Sequence, residues 1–470
     1  MEFNEIFKDF TAIPSLSVLC LQSYLKAVCQ KSQDREQERK KMRTIALKNL
    51  GCKVNTCELD AIEEMFLARG YETVPFEEKA DIYIINTCTV TNIADRKSRQ
   101  MLTKARKKNP DALIVATGCY AQAAVDLGEA LPEVDLVVGN NLKGQIADYI
   151  EAYEKGEMAV HAMNLSRETD FEELYLPTPH EHTRAAIKVQ DGCNQFCTYC
   201  IIPFVRGRIR SRKIENVIRE VSGLVKEGIK EIVVTGIHLS SYGRDLKEEI
   251  TLLDLLKAIA DVPGVKRIRL GSLEPGIVTE TFARELAHIE AFCPHFHLSL
   301  QSGCTATLKR MNRKYTAEEF LEACRILRAV FDRPALTTDI ITGFPGENEM
   351  EFSETVKFVK AVHFYETHIF PYSRRKGTLA AKMPDQVPMA LKKERGNVLR
   401  AINAENKYAF ENLFAGEEVE VLFEEEKERD GKKVIQGHTK RYLLVEADAE
   451  KYAPNDLKKV KLGQDAFIVH

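Results

Sequence analysis

The chain reads as an α/β protein in three folded parts: an N-terminal parallel α/β sheet, a central partial (β/α)6 barrel, and a small antiparallel β-barrel at the C-terminus. Three observations predict this. Strand-length apolar runs alternate with amphipathic helical stretches from about residue 43 to residue 409, an order that implies parallel sheets covered by helices. Beyond that point the helices stop and short strands with polar turns follow, as in a small antiparallel barrel. And 470 residues is too long for one compact core, suggesting about three domains.

Composition narrows the function. Apolar residues make up 44% of the chain, enough for real cores, and the formal net charge of −3 supplies no global basic field for nucleic acid. Any RNA contact must come from local patches. Twelve cysteines without an export signal argue for a reducing compartment, the cytoplasm, and for metal ligation, catalysis or packing rather than disulfides. No apolar run is long enough to span a membrane. Nothing demands a partner chain, so a monomer is expected.

Residues 1–42 differ from the rest. Ile13 to Leu25 is apolar but interrupted by Pro14 and serines, and acidic Glu2, Glu5 and Asp9 precede it, the wrong charge for a signal peptide. A charged run, Asp34 to Arg43, follows, and Met42 stands directly before the first folded-looking stretch. This segment is read as an extension, disordered or absent from the native chain, in which Cys20 and Cys29 play no part.

The first domain spans about 43–155. Thr44–Leu50, Asp81–Thr87, Ala112–Thr117 and Asp135–Val138 read as strands, and helices are expected at Asn55–Arg69 and Asn92–Lys108. Cys52, Cys88 and Cys119 each follow a different strand, in LKNLGC, IINTC and IVATGC. Sites in open α/β sheets form outside the carboxyl ends of strands, so three cysteines far apart in sequence converge on one crevice. Gly51 and Gly118 precede two of them, where tight turns are needed. Cys57, on the following helix, reads as packing. The helix after Cys88 carries Arg96, Lys97, Arg99, Lys104, Arg106, Lys107 and Lys108 without an acidic residue among them. Such a run suits a solvated face or a phosphate backbone equally.

After an acidic linker, Glu154–Thr183, the core domain runs over about 179–409. Candidate strands are Ala185–Gln190, Glu231–Thr235, Arg267–Ser272, His297–Leu300, Thr337–Thr342 and Thr367–Pro371, with helices between them. Barrels of this kind place their chemistry at the carboxyl ends of the strands. There the first strand leads into GCNQFCTYC, in which Cys193, Cys197 and Cys200 stand in a C-x3-C-x2-C run. Three thiolates hold three irons of a four-iron cubane and leave the fourth open, as catalytic sites do. Zinc sites more often use C-x2-C pairs and a fourth ligand. Thr235–His238, Ser272 and Glu274, Gln301 and Ser302, and Asp339 with the Gly343–Glu347 loop line the same mouth. Of these, Glu274 reads as a cofactor ligand or, by preference, an acid near a helix start, and His238 as polar packing, while Cys293, Cys304 and Cys324 read as packing too. The Arg206, Arg208, Arg210, Arg212, Lys213 run and the Arg374, Arg375, Lys376 run fit substrate phosphates or internal ion pairs, and their convergence favours RNA. The tail, about 410–470, offers Lys440, Arg441 and Tyr442 for cation and stacking contacts to RNA; the Glu424–Glu428 run is expected to face away.

The cysteine spacing is the signature of the radical S-adenosylmethionine (SAM) family. With LKNLGCKVNTCE, INTCTVTNIADRKSRQ, GCYAQ and KVQDGCNQFCTYCIIPFVRGRIRSR, the chain from Met42 onward resembles the methylthiotransferases of that family, including a tail similar to the TRAM module of RNA-binding enzymes. NTCTV and GIHLSSYG resemble the branch acting on N6-threonylcarbamoyladenosine in tRNA; sibling branches act on isopentenyladenosine in tRNA or on a ribosomal-protein aspartate. The resemblance implies two 4Fe–4S clusters. The one on Cys193, Cys197 and Cys200 would bind SAM and generate a 5′-deoxyadenosyl radical; the one on Cys52, Cys88 and Cys119 would carry or activate sulfur. It implies SAM contacts at Gly236, Gln301 and Ser302, a tRNA anticodon loop as substrate, and an electron donor such as flavodoxin or ferredoxin. A C–H bond on an adenine ring has no useful pKa, so a cofactor must carry the difficult step.

Overall fold

The computed structural model describes residues 43–156, 160–162, 165, 170–175 and 183–469. The extension at 1–42 and most of the predicted acidic linker, with Pro177 and Pro179, lie outside the described residues.

Six parallel strands form the N-terminal sheet: β1 (Thr44–Asn49), β2 (Glu72–Thr73), β3 (Ile82–Thr87), β4 (Leu113–Thr117), β5 (Leu136–Val138) and β6 (Val160–His161), in the order β2-β1-β3-β4-β5-β6. The central β3, IYIINT, is buried at every position, as a strand covered on both faces must be. Helices Asn92–Lys108 and Gly118–Asp126 cover one face around Tyr83, Ile85 and Ala116; Lys53–Ala68 and Ile146–Glu154 cover the other around Ile62, Ile84 and Val115. Two-residue β2 and β6, at the sheet's edges, are too short for periodicity to announce.

The barrel comprises β7 (Arg184–Asp191), β8 (Arg210–Ser211), β9 (Glu231–Gly236), β10 (Arg267–Leu270), β11 (Ser272–Leu273), β12 (His295–Gln301), β13 (Ala335–Thr342) and β14 (Glu366–Pro371). β10 passes into β11 across Gly271, so the order runs β8-β7-β9-β10/β11-β12-β13-β14. Every pairing is parallel except that of short β8 with β7. Six β/α units are thus present. One face of each strand packs on the surrounding helices through Ile187, Val234, Ile268, Leu298, Ile340 and their neighbours. The other face lines a lumen. Capping boxes at Thr251/Asp254, Thr316/Glu319 and Asn348/Glu351 start three of the outer helices. Among the described residues no helix is long and apolar enough to cross a membrane.

Five antiparallel strands make the tail: β15 (Glu418–Arg429), β16 (Lys432–Thr439), β17 (Leu444–Asp448), β18 (Leu457–Lys461) and β19 (Ala466–Ile468), ordered β18-β15-β16-β17-β19 and curled around Val421, Phe423, Val445 and Val460. This small barrel docks on the amino ends of the central strands. Arg184 opens β7 and pairs with Glu424 at 3.0 Å; Arg267 opens β10 and reaches Glu420 at 3.0 Å and the His438 carbonyl at 2.8 Å. Arg269 binds Glu231 at 2.7 Å and donates to the carbonyls of Thr439 and Lys440.

Tyr442 is the centre of that joint. Its ring stacks between His295 (5.0 Å) and His438 (4.3 Å), with the Arg269 and Arg184 guanidinium groups 4.8 and 5.4 Å from its centroid. The expectation that Lys440, Arg441 and Tyr442 bind RNA is therefore overturned. Lys440 donates to the Glu290 carbonyl and Arg441 to those of Asp332 and Arg333; all three residues fasten the tail to the barrel. Glu424, too, faces the barrel through Arg184 and His438 rather than solvent.

Burial first, then the nearby Arg269, His297, Lys53 and His438 charges, hold the His295 imidazole well below its ordinary pKa. The folded state keeps it neutral while the unfolded chain protonates it below about pH 6.5. Stability from this group is therefore complete above that pH and falls as pH drops, by up to about 1.4 kcal/mol per unit. In urea titrations between pH 7 and 5, His295→Gln should flatten this slope; an unchanged slope would refute the assignment.

Candidate functional site

Cys52, Cys88 and Cys119 stand at the carboxyl ends of β1, β3 and β4, as the sequence predicts. The loops holding them are laced together. Gly51 and Gly118 both have positive φ; a Cβ on Gly51 would sit 2.9 Å from the Cys88 sulfur, and one on Gly118 only 2.4 Å from the Thr87 carbonyl. Asn55 donates to the Leu50 and Thr87 carbonyls, and Asn86 donates to the Asn55 carbonyl. The Ser98 hydroxyl both accepts from the Cys88 amide and donates to the Cys88 carbonyl. Thr87 joins the second loop to the third by donating to the Thr117 carbonyl and accepting from the Ala121 amide.

Cys193, Cys197 and Cys200 follow β7 at the carboxyl end of the barrel. Gly192 opens that loop with φ +69°, and a Cβ there would collide with the Arg208 carbonyl. The loop is pinned by Cys193 N–H to the Gly207 carbonyl (3.0 Å), Thr198 N–H to the Met311 carbonyl (3.0 Å), and the Asn312 side chain to the Phe196 carbonyl (3.0 Å).

Within each set the thiols sense one another's charge: Cys88 is raised by Cys119 and Cys52, and Cys200 by Cys197 and Cys193. Burial is the larger effect, pushing Cys88 and Cys193 up to about 11 and Cys200 up to about 12. Such thiols ionise only beside a strong positive charge, which a bound metal provides. Spacing decides which kind. Four-coordinate zinc at about 2.3 Å from each sulfur would bring its sulfurs to about 3.8 Å apart. Among the described residues, the His/Cys/Asp/Glu trio with all ligand atoms within 4.8 Å of one another is His297, Asp339 and His368, and neither cysteine triad is that tight. Neither triad, as it stands, holds its sulfurs at the spacing a single zinc ion would set. Among the described residues every cysteine is a free thiol.

One arginine attends each triad. Arg206, fully buried, directs Nε to the Cys119 sulfur at 3.3 Å while its other nitrogens bind Glu58 (2.9 Å), Asp191 (3.1 Å) and Asn55 (2.6 Å). Arg313 directs Nη1 to the Cys197 sulfur at 3.3 Å and binds Glu274 at 2.9 Å and the Tyr315 hydroxyl at 2.9 Å. Arg206 lies six residues past Cys200 yet touches the other triad, so one side chain joins the two sites. Lys188 and Lys143 complete the junction on Glu58 at 2.9 and 3.0 Å. Cys57 packs into it, donating to the Ala186 carbonyl of β7 at 3.1 Å.

Several expectations change here. Arg206, Arg210 and Arg212 are buried and ion-paired, to Glu58 and Asp191, to Asp191, and to Glu220 and Glu173; they are structural, and of this arginine run Arg208 is the exposed member. Arg375 is likewise consumed by Asp95 and Thr89 of the N-terminal domain. Glu274 stands at the start of the short helical turn Pro275–Ile277, as expected, but its side chain does not cap that turn. It gathers Arg313, His238 (3.0 Å) and Gln195 (3.1 Å) beside the cysteine loop, lining a cleft of about 430 Å³ with Asn194, Arg244 and Tyr315. Gly236 ends β9 where a Cβ would crowd Gln190 at 2.9 Å. Gln301 ends β12, half-buried, with φ +72°; Ser302 is buried, its hydroxyl engaging Thr355 and the Cys304 amide. Sequence reasoning missed Arg313 and Glu58, because nothing local marks a buried partner.

Comparison with known proteins follows these sites. The Radical SAM superfamily model matches residues 187–359, and the Uncharacterized protein family UPF0004 model matches 44–139. The chain is 42% identical to Threonylcarbamoyladenosine tRNA methylthiotransferase MtaB of Bacillus subtilis, over 90% of this chain and 94% of that one. It is 40% identical to the Aquifex aeolicus protein of the same name, over 81% and 93%, and 35% identical to tRNA-2-methylthio-N(6)-dimethylallyladenosine synthase of Clostridium botulinum, over 88% and 92%. Among solved structures, a radical S-adenosylmethionine methyltransferase from Kitasatospora setae superposes with TM-score 0.53 at 16% identity, over 72% of this chain and 77% of that one, which supports the fold.

Replacing Arg206 by Met leaves Glu58 and Asp191 short of a partner and should cost about 3–5 kcal/mol. Arg206→Lys should recover part of that loss, keeping the charge without the fork. Chemical denaturation with parallel iron assay checks it; a fully stable Arg206→Met protein would deny the junction its role.

Proposed function

We infer the function from one premise: the chain belongs to the radical SAM methylthiotransferases. We propose that it converts N6-threonylcarbamoyladenosine beside the tRNA anticodon to its 2-methylthio derivative. The higher identity to relatives named for that substrate than to one named for the dimethylallyl substrate supports this choice. The observation that carries the reading is Arg206, which ties the loop following Cys200 to the sulfur of Cys119 and so locks two three-thiol sites to each other.

A SAM-binding 4Fe–4S cluster belongs on Cys193, Cys197 and Cys200; we assign a second 4Fe–4S cluster to Cys52, Cys88 and Cys119. Bound there, these groups and SAM supply the radical, sulfur and methyl chemistry that side chains cannot. The chain's own residues do the rest. Gly192 and Gly51 let the two loops bend to present their thiols. Arg206 and Arg313 direct N–H groups at one sulfur of each triad, which stabilises thiolate charge there. Gly236 lets the end of β9 pass close against Gln190, Gln301 turns the end of β12 with φ +72°, and Ser302 holds that turn through Thr355; these strand ends would contact SAM. Exposed cations that could meet tRNA phosphates include Arg96, Lys97, Arg99, Lys107 and Lys108 on the Asn92–Lys108 helix, Arg208 and Lys213 after the cysteine loop, and Arg374 after β14. A ferredoxin- or flavodoxin-type donor would supply electrons.

Replacing any one of the six cysteines by Ala should abolish the methylthio nucleoside, read by mass spectrometry of digested tRNA. Cys119→Ala should also leave about four irons per chain. Normal product from Cys119→Ala would remove the second site from the reaction. Cys57→Ala should keep its product level and lose about 1 kcal/mol of stability, as a packing residue does.

A further inference from the structure

The lumen of the barrel carries a polar constellation that neither cysteine triad uses. β12, β13 and β14 lie side by side, with Phe296, Leu298, Leu336 and Ile340 turned to the outer helices. The alternate residues turn inward. Asp339 and His368 are register partners, and His297 is the register partner of Thr337. His297 Nε2 lies 3.2 Å from an Asp339 carboxylate oxygen, and its Nδ1 lies 3.0 Å from the Thr337 hydroxyl, which fixes the ring. The His297 and His368 rings stand 5.7 Å apart at 27°. His297 and Asp339 are half-buried and His368 is exposed, so solvent reaches all three. Two residues nearer the mouth, on the same face as His368, Phe370 is 48% exposed.

We propose that Phe370, His368, Asp339 and His297 form the pocket for the modified base, Phe370 stacking on the adenine, Asp339 and His368 reading its N6 substituent, and His297 holding Asp339 in place. This deepens the tRNA reading and rests on it. A base taken from an anticodon loop is unstacked and offers its π face to an aromatic side chain. A threonylcarbamoyl group replaces one N6 hydrogen and adds a urea carbonyl, a urea N–H beside the remaining N6–H, a hydroxyl and a carboxylate. Asp339 accepts from the urea N–H groups, and the His368 imidazole donates to the substrate carboxylate. The order along β14 suits this, because Phe370 lies toward the cysteine end and His368 deeper, and the substituent leaves the ring away from its C2 edge. An unsubstituted or alkenylated amine lacks the carboxylate and would leave His368 unmatched, which is how a site rejects an analogue strongly.

The test uses full-length reconstituted enzyme and one tRNA prepared with and without the threonylcarbamoyl group. Kd, KM and kcat are measured for wild type, Asp339→Asn, His368→Gln, Phe370→Ala and Phe370→Tyr, with iron content and circular dichroism confirming each fold. Asp339→Asn and His368→Gln should shrink the preference for the carbamoylated tRNA by about tenfold to a hundredfold, mostly in KM. Phe370→Ala should weaken both tRNAs by about tenfold and Phe370→Tyr should restore them. Unchanged preference in Asp339→Asn and His368→Gln sinks the pocket. So does a non-iron metal found in wild type and lost from these variants, which would make the three residues a metal site. A wild type that discriminates neither tRNA sinks the substrate reading itself.

Discussion

Four cations and two carboxylates are shut away from water where the N-terminal sheet meets the barrel: Arg206, Arg210, Lys188 and Lys143 around Glu58 and Asp191. The two carboxyl groups lie well below their ordinary range despite a burial penalty, because these cations surround them. Isolated burial of any one of these charges would be strongly unfavourable. The arrangement therefore holds only when both domains meet in one register. Oily surfaces could slide; a fork of guanidinium nitrogens shared among Glu58, Asp191, Asn55 and the Cys119 sulfur cannot.

The opposite end of the barrel is closed by the same physics with different residues. Arg184 and Arg267 open their strands and Arg269 follows two residues later in β10; they point into the lumen and are answered by Glu231, Glu420, Glu424 and the Tyr442 ring. The tail thus works first as a floor. It leaves the carboxyl ends of the strands as the open end, where the cysteine loop, Glu274 and Arg313 sit. Whatever RNA the tail touches must meet its outer strands, since Lys440, Arg441 and Tyr442 are spent on the joint.

How much of this the sequence disclosed follows from which interactions are local. The strands were legible because β3 and β9 are apolar runs bounded by polar turns, and the two cysteine triads because each member follows a strand end or a recognisable spacing. The arginine run from 206 to 212 misled for the converse reason. Read linearly it is a basic patch, but Arg206 meets carboxylates 15 and 148 positions away in Asp191 and Glu58, Arg210 meets Asp191, and Arg212 meets Glu220 nearer by. Tyr442 deceived in the same way: an aromatic flanked by cations resembles an RNA contact until His295 and His438 are seen on its two faces. Pairing across domains leaves no periodic trace, so burial of a charged residue is the property that one chain's sequence states least well.

A reaction that must join a sulfur-bearing group to a ring carbon gains most from holding its parts at fixed separation, because small misplacements are expensive in rate. Here neither triad sits on a flexible appendage. Cys119 opens a helix whose neighbour Asn140 also binds the Val205 carbonyl next to Arg206; Cys197 is held through Arg313 to Glu274. The residues that set the distance between the sites are therefore the same ones that keep the domains together. The distance cannot change without breaking the fold's most deeply buried charges, and any motion that admits the tRNA must occur elsewhere, at the open side of the lumen where His368 and Phe370 remain exposed.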